Sequence, residues 1–165
     1  MITRYSRKEL TDIWSEYNKY QIWLDVEIAA AEGMEKLGTI PKGVASAVKK
    51  KAKISVKRIH NIEAKVKHDV IAFLTSITEK VGIKARYLHQ GMTSSDVVDT
   101  SFNIQLVQSG KILVKDIDQI LKVLMKQAKK YKFTPCIGRS HGIHAEPITF
   151  GLKLATFYEE FKRNR

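Results

Sequence analysis

The chain has 165 residues, with 29 Lys and Arg against 17 Asp and Glu and a formal net charge of +12. That length is enough for a domain with its own core. Its apolar runs are too short to span a bilayer, nothing at the N-terminus reads as a signal peptide, and a single cysteine, Cys136, excludes an internal disulfide. A reducing cytoplasm is the natural compartment.

The positive charge admits nucleic acid, an acidic membrane surface or small anionic substrates. The lysines of Lys49–Lys67 alternate with apolar residues at helical spacing, as a solvated helix face does, and no aromatics are interleaved with them as a base-stacking platform requires. Neither nucleic acid nor membrane is the expected partner.

Arg4 and Tyr5 precede Ser6-x-x-Glu9, which reads as a capping box opening a helix through Ile13 and Trp14. Ile22, Val26, Ala29, Gly33 and Leu37 then mark one apolar helical face, closed by Gly38 as a C-cap. Pro41 is expected to open a short helix, and Ile59, Ile62 and Val66 suggest another. Val70–Ile77 reads as a buried helix ending near Gly82.

Lys67-His68-Asp69 puts a cation, a proton carrier and an acid at that helix start, where Asp69 can serve simply as the N-cap. Tyr87–Met92 has no helical period and delivers His89 to Thr93-Ser94-Ser95-Asp96, more capping chemistry than one helix needs. Exposed N–H groups beside hydroxyls suit a carboxylate or phosphate.

Val98, Phe102, Leu106, Leu113, Ile117, Ile120, Leu124 and Tyr131 keep a rhythm of threes and fours, the pattern of a long bundle helix. A stripe of that length cannot be buried within so small a chain. It calls for other subunits or further sequence.

The stretch Gly138–Pro147 (GRSHGIHAEP) follows, polar and rich in chemistry: either an exposed loop or the wall of a site. His141 and His144 would share a face on a helix, and Pro147 suits the first turn of a new one, carrying Ile148, Leu152, Ala155, Tyr158 and Phe161. That helix runs to Arg165 without a cap signal, which is read as a truncated chain. A His-x-x-His pair without His-Glu-x-x-His or a Cys pair is a poor metal site. The fold is expected to be all-α, with strands at most short and local. Helix starts are expected to gather His68-Asp69, Thr93–Asp96 and Ser140-His141 at one anion-binding pocket.

The ordered set Arg4-Tyr5-Ser6-Arg7, Lys67-His68-Asp69-Val70, Thr93-Ser94-Ser95-Asp96-x-x-Asp99-Thr100 and Gly138-Arg139-Ser140-His141-Gly142-Ile143-His144-Ala145-Glu146-Pro147 resembles the adenylosuccinate lyases of the fumarase/aspartase superfamily. The resemblance runs the length of the chain. It implies an N-terminal helical domain over 1–92 and, over 93–165, the beginning of a long central helical bundle. It also implies a homotetramer with active sites shared between subunits, and no metal or organic cofactor.

The implied reaction eliminates fumarate from adenylosuccinate to give AMP, and likewise from the succinylated aminoimidazole carboxamide ribotide. Such a β-elimination needs donors on the carboxylate next to the C–H bond and an acid for the leaving nitrogen. By resemblance, His141 is that acid. Thr93, Ser94 and Ser140 hold the succinyl carboxylates, His68 orients the substrate near its phosphate with Lys67 and Asp69 beside it, and Arg4, Tyr5 and His89 are phosphate contacts. Ser140 stands where the family usually has threonine. The family's third signature, a mobile loop bearing the serine that resembles the base, is absent from these residues, as is the glutamate that orients the catalytic histidine, so the chain alone is expected to be inactive. Argininosuccinate lyase and carboxymuconate cycloisomerase share only the last two motifs. A purely structural helical assembly module and a basic nucleic-acid binder are the readings from other classes.

Overall fold

The computed structural model describes residues 2–165. It is helical apart from one two-stranded sheet, and it divides into two compact units, one ending at Ser109 and the other spanning Gly110–Arg165.

In the first unit a 3-10 turn (Thr3–Tyr5) leads into α1 (Lys8–Ile13) and α2 (Glu16–Leu37). The expected capping box does not form. Ser6 Oγ donates to the carbonyl of Ile2 at 2.9 Å, and the N-cap is Arg7, whose side chain pairs with Glu9 at 3.6 Å instead of capping the helix. Nor does one helix run through Trp14. Ser15 starts α2 by accepting from the Asn18 N–H at 3.2 Å, and the freed carbonyl of Ile13 accepts from Asn18 Nδ2 and Gln105 Nε2, both at 2.8 Å. The break is stable because the last carbonyl of α1 has partners.

The buried face of α2 matches the expected one only in part: Ile22 is buried and Val26 packs against the core. Tyr20, Trp23, Leu24, Glu27, Ile28 and Ala31 are buried, whereas Ala29 and Gly33 are exposed and Leu37 is 79% exposed. Both sets obey helical spacing. The observed one carries two aromatic rings and therefore more apolar area, and only Glu27 at its centre hides it from a pattern search. Tyr20, Trp23 and Phe73 form the centre of the core: Tyr20 meets Trp23 edge-on at 5.3 Å and stacks on Phe73 at 6.0 Å.

Gly38 does close α2, at φ 74°. The next helix, α3 (Val44–Lys51), begins three residues after Pro41, because the Glu35 carboxylate reaches forward to accept from the Gly43 and Ala45 N–H groups at 3.1 and 2.7 Å. α4 (Val56–Val66) and α5 (Asp69–Val81) follow as the pattern predicts, with Ile59, Ile62, Val70, Phe73 and Ile77 buried. A second 3-10 turn (Ile83–Tyr87) precedes α6 (Ser94–Lys130), which has 37 residues and carries the boundary between the units. In the first unit α6 buries Val97, Ser101, Gln105 and Ser109, while Phe102 and Leu106 of the periodic stripe stay exposed, as do Leu113 and Ile120 further along.

In the second unit α6 is followed by an antiparallel hairpin, β1 (Pro135–Ser140) and β2 (Ile143–Thr149), and by α7 (Phe150–Asn164). Pro147 therefore does not open a helix. It pairs with Ile137 in the sheet, and the start of α7 is Thr149, whose Oγ1 accepts from the Leu152 N–H at 3.2 Å. The start of α7 packs closely on the end of α6 at Gly151: a Cβ there would meet the carbonyl of Ala128 and Cα of Lys132 at 2.5 Å. The Phe150 and Tyr131 rings meet beside it at 5.5 Å.

Candidate active site

Arg4 and Tyr5 occupy the first 3-10 turn, both exposed, with the guanidinium 4.7 Å from the centre of the Tyr5 ring. Lys67, His68 and Asp69 form the corner between α4 and α5. Lys67 ends α4 in a left-handed conformation, φ 57°, its N–H still bonded to the carbonyl of Glu63. The N-cap of α5 is His68 rather than Asp69. His68 Nδ1 lies 3.4 Å from the Ile71 N–H and 3.5 Å from Asp69 Oδ1, while that same oxygen accepts from the Val70 N–H at 2.7 Å. One nitrogen cannot serve both contacts at once: Ile71 requires it bare, Asp69 requires it protonated. Both are long, and the ring is half-exposed.

His89 lies in the loop before α6, at φ 61°. Its backbone N–H donates to Glu27 Oε2 at 2.8 Å, and its Nδ1 lies 2.6 Å from Glu27 Oε1. No motif marks Glu27 in the sequence, but its place does: an acid at the centre of a buried apolar face needs a partner. At the start of α6, Asp96 Oδ2 accepts from the Thr93 N–H at 2.8 Å, Thr93 is exposed, and half-buried Ser94 is the first helical residue. The first unit thus carries Arg4, Tyr5, Lys67, His68, Asp69, His89, Thr93 and Ser94.

Ser140 and His141 belong to the second unit and do not stand at a helix start. Ser140 ends β1 paired with Ile143, and His141-Gly142 is the hairpin turn, with φ 52° and 75°. Positive φ at both central residues is the geometry whose twist matches the two strands. His141 and His144 consequently do not share a helical face; His144 lies on β2 opposite Arg139. A non-glycine residue in the left-handed region is uncommon and gathers at functional positions. His89 and His141 are two of three such residues among those described, Lys67 being the third.

Among the described residues no three His, Cys, Asp or Glu side chains are grouped as a metal site, and no helix is long and apolar enough to cross a membrane. The groups present are imidazoles, hydroxyls and cations, suited to proton transfer and to holding anions.

A family described as "Lyase" matches residues 3–165. The chain belongs to this lyase family. Adenylosuccinate lyase of Streptococcus mutans serotype c is 49% identical over 164 residues, 99% of this chain. The chain spans 38% of that relative's length. Among solved structures, the fumarate lyase of Mesorhizobium sp. BNC1 matches 96% of the chain and 38% of its own at TM-score 0.90 and 25% identity. The β-carboxy-cis,cis-muconate cycloisomerase of Acinetobacter calcoaceticus sp. ADP1 matches 95% of the chain and 38% of its own at TM-score 0.87 and 28% identity. These relatives accord with membership in the fumarase/aspartase superfamily, and the helical fold is theirs.

Proposed function

We propose that the whole protein to which these residues belong is an adenylosuccinate lyase. It breaks the bond between the purine 6-nitrogen and the succinyl group, releasing fumarate and AMP, and acts in the same way on the succinylated aminoimidazole carboxamide ribotide. The observation that carries this reading is the 49% identity to an enzyme of that name along 99% of the chain. The motifs around His68 and His141 lie within the matched stretch.

In the elimination, the proton on the carbon next to one succinyl carboxylate leaves, a C=C bond forms, and the C–N bonding pair returns to the purine nitrogen, which takes up a proton. His141 supplies that proton as the general acid. Thr93, Ser94 and Ser140 donate to the succinyl carboxylates, where negative charge builds up. Arg4, Tyr5, Lys67, His68, Asp69 and His89 bind the nucleotide, His68 orienting it for reaction. We assign the base that removes the carbon proton to sequence beyond these residues, so the 165 residues alone do not turn over.

The same reading makes residues 1–92 an N-terminal helical domain and 93–165 the beginning of a bundle domain. It makes the enzyme a cytoplasmic homotetramer with shared active sites, whose subunits cover the exposed Phe102, Leu106, Leu113 and Ile120 of α6. An uncovered stripe of large apolar residues is what such an assembly would bury.

The test is a chimera in which this chain replaces the matching stretch of the streptococcal relative. It is expected to release fumarate from adenylosuccinate. A folded, assembled chimera that ignores adenylosuccinate but acts on a carboxymuconate would overturn the assignment.

A further inference from the structure

We propose that Glu27 is a positioning residue for His89: it fixes the backbone, the ring and the proton of a histidine that meets the substrate phosphate. The proposal rests on the reading of His89 given above. Glu27 is the fully buried acid of the first unit, with 0% of its surface exposed, set on α2 among Tyr20, Trp23, Leu24 and Ile28. A carboxylate in that place requires hydrogen-bond partners. Both of its oxygens go to one residue. Oε2 accepts from the His89 N–H at 2.8 Å and Oε1 meets Nδ1 at 2.6 Å, although 62 positions separate the two residues.

The two bonds hold different things. The bond to the N–H keeps His89 in its left-handed conformation at φ 61°, which its own side chain disfavours. The bond to Nδ1 fixes the ring and keeps a proton on that nitrogen, whether the imidazole is neutral or charged. Nε2 is then the nitrogen left for a ligand, and the ring is 18% exposed, enough for one edge to be reached. A phosphate oxygen takes its hydrogen bond from Nε2–H, with the second ring proton already held by Glu27.

A structural partner for a buried acid needs only a donor. Binding the ring and the backbone of one strained histidine immediately before a hydroxyl-rich helix start does more. It delivers an imidazole in one orientation and one protonation pattern, as an outer-shell carboxylate does for a metal-bound histidine.

Two measurements test this. The first is nitrogen NMR of the His89 ring in the 165-residue chain. Nδ1 is expected to be protonated in the native chain. In Glu27→Gln, the amide oxygen accepts from the His89 N–H and the amide NH2 faces Nδ1, so Nδ1 becomes bare and the neutral ring carries its proton on Nε2. A bare Nδ1 in the native chain at neutral pH overturns the proposal, and that result needs no variant to fold.

The second uses the chimera. Glu27→Gln is expected to raise KM for adenylosuccinate about tenfold, the effect of one charge-assisted hydrogen bond, with kcat within about twofold of the parent. The penalty should vanish for the corresponding nucleoside, which lacks the phosphate. A loss of stability with KM unmoved makes Glu27 merely structural and overturns the proposal. A chimera inactive on adenylosuccinate beside a protonated Nδ1 overturns the phosphate reading of His89 instead, leaving the Glu27 contact intact.

Discussion

Gly138 stands so close to Glu146 across the hairpin that a Cβ on Gly138 would meet the Glu146 carbonyl oxygen at 2.6 Å. The register slips at this point, between Ile137 and Arg139, so the glycine permits the bulge that aims Ser140 and His141. Gly138→Ala must part the strands. We expect it to cost about 1–3 kcal/mol in urea unfolding. In the chimera it should lower turnover by more than the loss of folded protein accounts for, because the displaced residues include His141. Unchanged stability and unchanged kcat together would show that the hairpin yields freely there.

Phe73 is fully buried at the junction of α2 and α5, stacked on Tyr20 and edge-on to Trp23 at 5.5 Å. Phe73→Ala leaves a cavity that two rigid rings cannot close. The expected loss is about 3–5 kcal/mol, read as a lower denaturation midpoint with an unchanged slope in denaturant. A changed slope would instead report an altered unfolded or native ensemble.

Glu35 carries a pH dependence whose sign can be worked out. Its carboxylate accepts from the Ala45 and Gly43 N–H groups, and these bonds hold its pKa below the ordinary 4.5. The unfolded chain therefore binds more protons in that range, and stability rises with pH. The contribution is fully present above 4.5 and is lost as pH falls through the lowered folded value. Glu35→Gln should melt at a lower temperature than the native chain at pH 7, and the gap should close in acid. A gap that stays constant down to strongly acidic pH would assign it to shape rather than charge.

Tyr20 gives the opposite limb. Burial, with the negative charges of Glu16, Glu63 and Asp69, pushes its hydroxyl from 10.0 up to about 12. Between those values the unfolded phenol has lost its proton and the folded one has not, so stability falls as pH rises. The loss is on the order of 2 kcal/mol across that window. The stability difference between the native chain and Tyr20→Phe should shift by that amount from pH 10 to 12. In an ultraviolet titration the Tyr20 signal, identified as the one missing from Tyr20→Phe, should ionise late.

What the sequence makes legible follows from range. Gly38, α4, α5 and the length of α6 are local, set by caps and by a 3.6-residue period, and they are where the pattern puts them. The buried face of α2 is not local. Glu27 looks like a solvent residue until His89, 62 positions away, is folded against it. The α1–α2 break is hidden for the same reason, because the carbonyl it frees is satisfied in part by Gln105. Gly138–Pro147 has the composition of a loop, and its strands become evident only from their mutual pairing. The motif residues are legible through resemblance, which carries the chemistry without the geometry, so the sequence marks His141 but not its place in a hairpin turn.

That turn also shapes the test of His141. At φ 52° most substitutions add strain, so a loss of activity could reflect a damaged hairpin rather than a missing acid. Asparagine is the residue, after glycine, that accepts the left-handed region most readily, and Asn-Gly is a favoured pair in this turn. His141→Asn therefore keeps the hairpin and removes only the proton donor. In the chimera we expect kcat for adenylosuccinate to fall about 10²–10⁴-fold, with KM changed by no more than a few-fold. The amide spectrum of Pro135–Thr149 should otherwise be retained. A variant with intact hairpin signals and full turnover would remove His141 from the chemistry and move the search for the acid to His68, whose ring is half-exposed.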